Sequence, residues 1–81
     1  MDGNLIVVKA TFDPEARMWF VEDSDLEGVN AEAPTLEALL EKLPNVVADL
    51  LEANGAEAGH HDIPIELIAH ARTRTRIGEA A

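Results

Sequence analysis

The chain has 81 residues, no cysteine and a formal net charge of −10, from 16 acidic and 6 basic side chains. A chain of this length forms one small core, which supplies roughly 3–5 kcal/mol of stability. Without cysteine it can form neither a disulfide nor a thiolate metal site. The acidic excess repels nucleic acid and anionic lipid, so we expect no direct binding to either. It suits a basic protein partner, or a solvated acidic surface with no specific role.

The sequence shows no targeting segment. The apolar run from Leu5 to Val8 is far shorter than the ~20 residues of a membrane span. It also lacks the basic start and the cleavage site of a signal peptide. We therefore expect a cytoplasmic protein with no membrane partner. Residues 1–77 are predicted to form a single domain, and residues 78–81 a disordered tail.

Three β-strands are predicted in the first half of the chain. Residues 4–12 are rich in β-branched side chains and alternate between a firmly apolar face and a mixed face. A turn at residues 13–16, where Pro14 presets the backbone, leads to a second strand at 18–22 and an antiparallel hairpin. A polar loop then precedes a brief third strand at 29–32. The apolar face of the first strand consists of Ile6, Val8, Ala10 and Phe12.

A helix is predicted to begin after Thr35, whose hydroxyl can accept a hydrogen bond from an amide of the first turn. Pro44 predicts a kink or short break near Leu43, because its ring removes one backbone hydrogen bond. Asn54 and Gly55 supply a left-handed stop. The helix carries an apolar stripe at helical spacing, formed by Leu36, Leu39, Leu40, Leu43, Val47, Leu50 and Leu51.

Residues 63–77 alternate strictly and are predicted to form the last strand. The element order is then β-β-β-α-β. This order predicts an α+β fold in which one helix packs on one face of an antiparallel sheet. A homo-oligomer is expected, because it buries more apolar surface than so small a core can.

The sequence offers two weak candidates for a metal site. The acidic loop at residues 23–28 resembles a calcium loop, but its twelfth position is Pro34, which cannot be a ligand. His60, His61 and Asp62 can contact a transition metal, but two or three ligands in one loop make a weak site. We therefore predict no metal ion and no cofactor, and the role of the two histidines stays open.

No catalytic constellation is recognisable in the sequence. Ser24, the one serine of the chain, lies among acids and lacks an evident base to activate it. The five glycines are scattered and form no phosphate-binding loop. Paired carboxylates are too abundant to be informative, and a domain of this size has little room for a pocket that tunes them. We therefore predict that the protein is not an enzyme.

Two groups of charged residues are candidates for binding a protein partner. The first is the acidic loop, with Asp23, Asp25 and Glu27. The second is the polar face of the predicted last strand, with His70, Arg72, Arg74 and Arg76. Alternate spacing would place these arginines on one face, where they grip acidic groups of a partner or protect a strand edge. A nucleic-acid role is weaker, because no aromatic residues are interleaved.

Six segments of the chain, taken in order, carry a family resemblance. They are V-K-A-T-F-D (8–13), M-W-F-V (18–21), S-D-L-x-G (24–28), E-A-x-T-L-E-A-L-L-E-K-L (32–43), D-L-L-E-A-N-G (49–55) and I-P-I-E-L-I-A (63–69). Together they resemble the short HicB-like proteins. The resemblance covers nearly the whole chain and implies a small β-β-β-α-β domain, described for that family as a partial ribonuclease-H-like fold. No set of catalytic carboxylates carries over from ribonuclease H.

HicB proteins are antitoxins that cover HicA, a small basic toxin that cleaves messenger RNA. Many carry a further DNA-binding domain, which we do not expect here, so autorepression is not carried over. The resemblance therefore implies a non-catalytic protein-binding module that neutralises a small basic toxin. The alternative is a self-assembling domain with a structural or small-ligand role. It would dimerise through strand edges or through a mixed face with Leu5, Val7, Trp19 and Ile68.

Overall fold

The computed structural model describes residues 5–55 and 62–78. Its elements follow the predicted order β-β-β-α-β, and one helix packs on a four-stranded sheet, which confirms the α+β class. The elements are β1 (Ile6–Asp13), β2 (Met18–Ser24), β3 (Glu32–Ala33), α1 (Leu36–Ala53) and β4 (Ile65–His70).

The sheet is mixed rather than antiparallel throughout. Its strand order is β3-β2-β1-β4. The β1–β2 and β2–β3 pairs are antiparallel, whereas β1 and β4 are parallel. Three strands of alternating direction followed by a returning helix leave β4 running in the direction of β1. The helix thus serves as the long crossover that a parallel pair requires.

The predicted turn between β1 and β2 is confirmed. The Asp13 carboxylate accepts a hydrogen bond from the backbone N–H of Glu15 at 3.0 Å. The Asp13 carbonyl accepts another from the N–H of Arg17 at 2.7 Å. Arg17 itself has a φ of 59°, in the left-handed region. A short polar side chain at the start of the turn therefore holds the hairpin closed.

The core lies between α1 and one face of the sheet. The aromatic ring of Trp19 also lies on this face, because Trp19 is opposite Phe12 in the hairpin; the two ring centroids are 5.2 Å apart. Trp19 is therefore not on the mixed face, where it was predicted. The residues on both sides of β2 are apolar, so the sequence pattern could not show which side faces the helix. The fully buried residues are Val8, Ala10, Ala33, Leu39, Leu43 and Val47.

Both ends of α1 are formed as predicted. The Thr35 hydroxyl accepts a hydrogen bond from the N–H of Ala38 at 3.0 Å. At the other end Gly55, with a φ of 89°, follows the last turn and terminates the helix. The short break predicted near Leu43 does not occur, since α1 continues through Pro44. Pro44 is exposed while Leu43 beside it is buried, so packing on the sheet holds the helix together across the proline.

The last strand is shorter than predicted. β4 ends at His70, opposite Thr11 of β1, and residues 71–78 carry no regular secondary structure. We call residues 71–78 the arm; every one of them is exposed. Arg72, Arg74 and Arg76 thus lie in the arm and not on a face of the sheet. An alternating pattern shows that a segment has an apolar side and a polar side. It does not show whether a neighbouring strand is present to pair with that segment.

No helix in the described part of the chain combines the length and apolar character needed to span a bilayer.

Candidate functional site

The face of the sheet opposite α1 has no covering layer within residues 5–55 and 62–78. Strand register defines this open face, because residues directly opposite each other share a side of the sheet. Leu5 and Ile68 are large apolar residues there, with 48% and 41% of their surface exposed. The open face consists of Leu5, Val7, Lys9, Thr11, Met18, Phe20, Asp23, Glu32, Glu66, Ile68 and His70. It mixes apolar and charged groups, as protein-binding surfaces do.

A β-bulge shapes one end of the open face. Ala10 is opposite Val21 and Lys9 is opposite Asp23, so Glu22 is the extra residue of β2. The Glu22 carboxylate lies 3.0 Å from Nε2 of His70 across the sheet. Both side chains are about half exposed, at 50% and 55%. The pair therefore contributes little stability, but it holds His70 toward β2 rather than toward solvent.

The three acids of the predicted binding loop have different environments. Asp25 is engaged with the backbone of Val7: its carboxylate accepts the Val7 N–H at 3.0 Å, and its own N–H donates to the Val7 carbonyl at 3.0 Å. This pair of bonds extends the β1–β2 ladder by one step. Asp23 and Glu27 are exposed and line an open depression of about 200 Å³ with Leu26. Asp25 is exposed too, but its carboxylate is already bonded to the Val7 backbone.

The backbone role of Asp25 makes a prediction. Asp25→Ala leaves the Val7 N–H without its acceptor and is expected to lower the free energy of unfolding by about 1 kcal/mol. Asp23→Ala is the matched control, because Asp23, at the end of β2, is exposed like Asp25 but its carboxylate accepts no hydrogen bond from a described backbone amide; it is expected to change stability by less than about 0.5 kcal/mol. Urea unfolding followed by circular dichroism measures both. Equal effects of the two substitutions would contradict the assigned role.

The loop is also fixed against the helix. Gly28 has a φ of 97°, and a Cβ atom built on it would lie 3.2 Å from Cδ2 of Leu50. Ser24 supports the same turn, since its hydroxyl accepts the N–H of Leu26 at 3.1 Å. The exposed acids thus project from a loop with defined backbone geometry. Ser24 had no predicted role, and a serine two residues before a backbone donor is the signal for this turn.

A second concave surface was not foreseen from the sequence. An apolar groove of about 230 Å³ lies between α1 and the start of β4. We call it the β4 groove; it is lined by Pro44, Val47, Ala48, Leu51, Asp62, Ile63 and Ile65. These residues are distant in the sequence, so no local pattern brings them together.

The described residues offer surfaces rather than an enclosed reaction site. Within residues 5–55 and 62–78 no polar or charged side chain is buried. In the same part of the chain no three His, Asp or Glu side chains are grouped to hold a metal ion. His60 and His61, the weak metal candidates, lie outside the described residues, and Asp62 beside them is exposed.

The chain is similar to known proteins in both sequence and fold. The model of a domain family described as a domain of unknown function, DUF1902, matches residues 5–78. A crystal structure of hypothetical protein TTHA1013, from the extremely thermophilic bacterium Thermus thermophilus, is similar over 90% of this chain and 99% of that one. The two sequences are 38% identical, and the TM-score is 0.63. No curated protein matches the sequence.

Proposed function

From the premise that this chain belongs to the DUF1902 family, whose function is unknown, we propose that it is a non-catalytic module that binds a small basic protein. The proposal extends to a partner of the HicA type, a basic RNA-cleaving toxin, on the pattern of the HicB-like antitoxins that the sequence resembles. The module would act by covering its partner.

The observation that carries the proposal is the open face, on which exposed apolar and acidic side chains lie side by side around Lys9. Val7, Phe20 and Ile68 lie on neighbouring strands of this face, and Ile68 is 41% exposed. Acidic groups flank them on three strands: Asp23, Glu32 and Glu66. An apolar centre within a charged rim is the usual anatomy of a protein interface. On this face three acids outnumber one lysine, Lys9, so the face is net acidic, which favours a basic partner.

The charge of the whole chain favours the same class of partner. A net charge of −10 on 81 residues attracts a basic protein over distances of about a Debye length. Such steering raises the association rate and excludes acidic competitors. It also makes association depend on salt, because ions screen exposed charges. Binding through this surface is therefore expected to slow as the salt concentration rises.

A paired substitution tests the proposal. Ile68→Lys places a positive charge on the open face, whereas Leu40→Lys places one on the exposed side of α1. Both residues are large, apolar and about equally exposed, at 41% and 48%. Tagged wild-type protein and both variants are expressed in the native host, and the proteins that they retain are identified by mass spectrometry.

We expect wild-type protein and Leu40→Lys to retain the same small basic protein, and Ile68→Lys to lose it. Co-expression then tests the finer proposal: the retained protein should arrest growth and degrade messenger RNA alone, and the wild-type module should suppress both effects. Retention of no basic protein, or equal retention by the two variants, would count against the open face. A retained partner without RNA-cleaving activity would contradict the proposal of a toxin partner but would still support the proposal of a binding module.

A further inference from the structure

The arm is exposed and without a partner strand among the described residues. It alternates arginine at positions 72, 74 and 76 with threonine or isoleucine at 73, 75 and 77. Ile77 is 90% exposed. No backbone hydrogen bond joins the arm to another described residue. Alternation of this kind is typical of a strand with two different sides, and strand backbone groups are normally paired.

The two edges of the sheet are not equivalent. The β3 edge is two residues long, and the ammonium group of Lys42 donates to the Glu32 carbonyl there at 2.6 Å. A short edge blocked by lysine resists pairing with another chain. β4 is six residues long and pairs with β1 on one side, and no strand within residues 5–55 and 62–78 pairs with its other side. An added strand therefore has one suitable position, beside β4.

We propose that two copies of this chain exchange their arms, so that the arm of each copy pairs antiparallel with β4 of the other. The two-fold axis passes near Ala71. In this register Ile77 lies opposite Ile65 of the second copy, and Arg76 lies opposite Glu66 of the second copy. Each sheet gains a fifth strand, and the two sheets become continuous through the paired segments. The interface uses the β4 edge and shares Glu66 with the open face, so Ile77→Asp, which leaves every open-face residue unchanged, separates the two proposals.

The alternation restricts the register. Odd-numbered residues must lie opposite odd-numbered residues, so that the apolar side of the arm joins the helix side of the sheet. An axis at Arg72 would place two guanidinium groups directly opposite each other, which is unfavourable. An axis at His70 would place Arg76 opposite Pro64, which has no N–H to donate to the ladder. An axis at Ala71 has neither defect and covers all of β4.

The β4 groove gives the exposed isoleucine a place to bind. Ile65 faces the helix side of the sheet and also lines this groove, which measures about 230 Å³. Ile77 of the second copy, opposite Ile65, would enter the groove beside Val47 and Leu51. The arm's arginines would then lie on the open-face side, with Arg76 against Glu66. A positive arm on a chain of net charge −10 is electrostatically complementary to its own copy.

Cysteine cross-linking tests the register. The chain has no native cysteine, so each single-cysteine variant reports one position. Ala71→Cys lies near the two-fold axis and is expected to form an interchain disulfide on mild oxidation. Thr75→Cys is the matched control: it is equally part of the exposed arm, but it would face Leu67 of the second copy rather than another cysteine. Equal cross-linking of the two variants at the same concentration would overturn the register.

Light scattering with size-exclusion chromatography tests the exchange itself. Wild-type protein is expected to be a dimer, and Ile77→Asp is expected to raise the dimer dissociation constant on the order of 100-fold, because two buried isoleucines are lost. Ile77→Val should stay dimeric. Since Ile77 is 90% exposed in a single copy, circular dichroism of the Ile77→Asp monomer should keep the helical signal of α1 and lose only the strand signal of the paired arm. A monomeric wild type, or a dimer indifferent to Ile77→Asp, would overturn the proposal.

Discussion

Replacing Leu43 with alanine is expected to lower the free energy of unfolding by about 2–5 kcal/mol, enough to remove most of the stability of so small a domain. Leu43 is fully buried, with 0% of its surface exposed, and is among the largest fully buried side chains. Its loss leaves a cavity between α1 and the sheet. Urea unfolding at a fixed protein concentration, followed by Trp19 fluorescence and by circular dichroism, measures the change.

Leu40 provides the control within the same helix. It lies three positions before Leu43, belongs to the same apolar stripe in the sequence, and is nonetheless 48% exposed. Leu40→Ala is expected to cost less than about 1 kcal/mol, since it removes little buried surface. If the two substitutions destabilised equally, the rotation of α1 about its axis would be other than described. Thr35 caps α1 in both variants, so helix initiation does not confuse the comparison.

The elements that sequence predicts well are those determined by neighbouring residues. Thr35 caps α1 because its hydroxyl reaches an amide three residues ahead. Asp13 closes the hairpin because its carboxylate reaches an amide two residues ahead. Gly55 ends the helix because its backbone readily takes a positive φ. Each of these interactions lies within a few residues of the chain, so a local pattern contains all that is needed.

The errors concern contacts between distant segments. Residues 63–77 alternate throughout, yet pairing with β1 stops at His70. The direction of β4 depends on the crossover through α1, which no pattern within the strand reveals. Trp19 was placed on the wrong face because β2 is apolar on both sides. A local sequence window describes the preferences of a segment, while its neighbours are fixed by the chain as a whole.

The candidate site shows the same division. The loop acids were recognisable by charge, but only the structure shows that Asp25 bonds to Val7, 18 positions away in the sequence. The arginines of the arm were recognisable by spacing, but not their position beyond the sheet. The β4 groove had no signal, because α1 and the start of β4 meet only after folding. The composition of a surface is therefore predictable, and its shape is not.

A side chain at Gly28, in the acidic loop, would impose two costs: backbone strain from the positive φ and crowding against Leu50. Comparison with Gly55 and Gly78 separates these two costs. Gly28 has a φ of 97° and a close contact, Gly55 has a φ of 89° and nothing within 4 Å of an added Cβ, and Gly78 has nothing within 4 Å. Gly78→Ala is expected to be neutral. Gly55→Ala is expected to cost about 1–2 kcal/mol from backbone strain alone. Gly28→Ala is expected to cost about 2–3 kcal/mol, because crowding against Leu50 adds to the strain.

The difference between Gly28→Ala and Gly55→Ala measures how tightly the acidic loop is held on the helix. Urea unfolding gives both free energies, and Gly28→Ala should cost less in a Leu50→Ala background than in the wild type if the contact is the cause. An equal cost of Gly28→Ala in the two backgrounds would assign that cost entirely to backbone strain. If the cost falls when Leu50 is shortened, the acidic loop with Asp23 and Glu27 is held in place by packing against α1. A substitution near the end of the helix would then weaken partner binding without touching the open face.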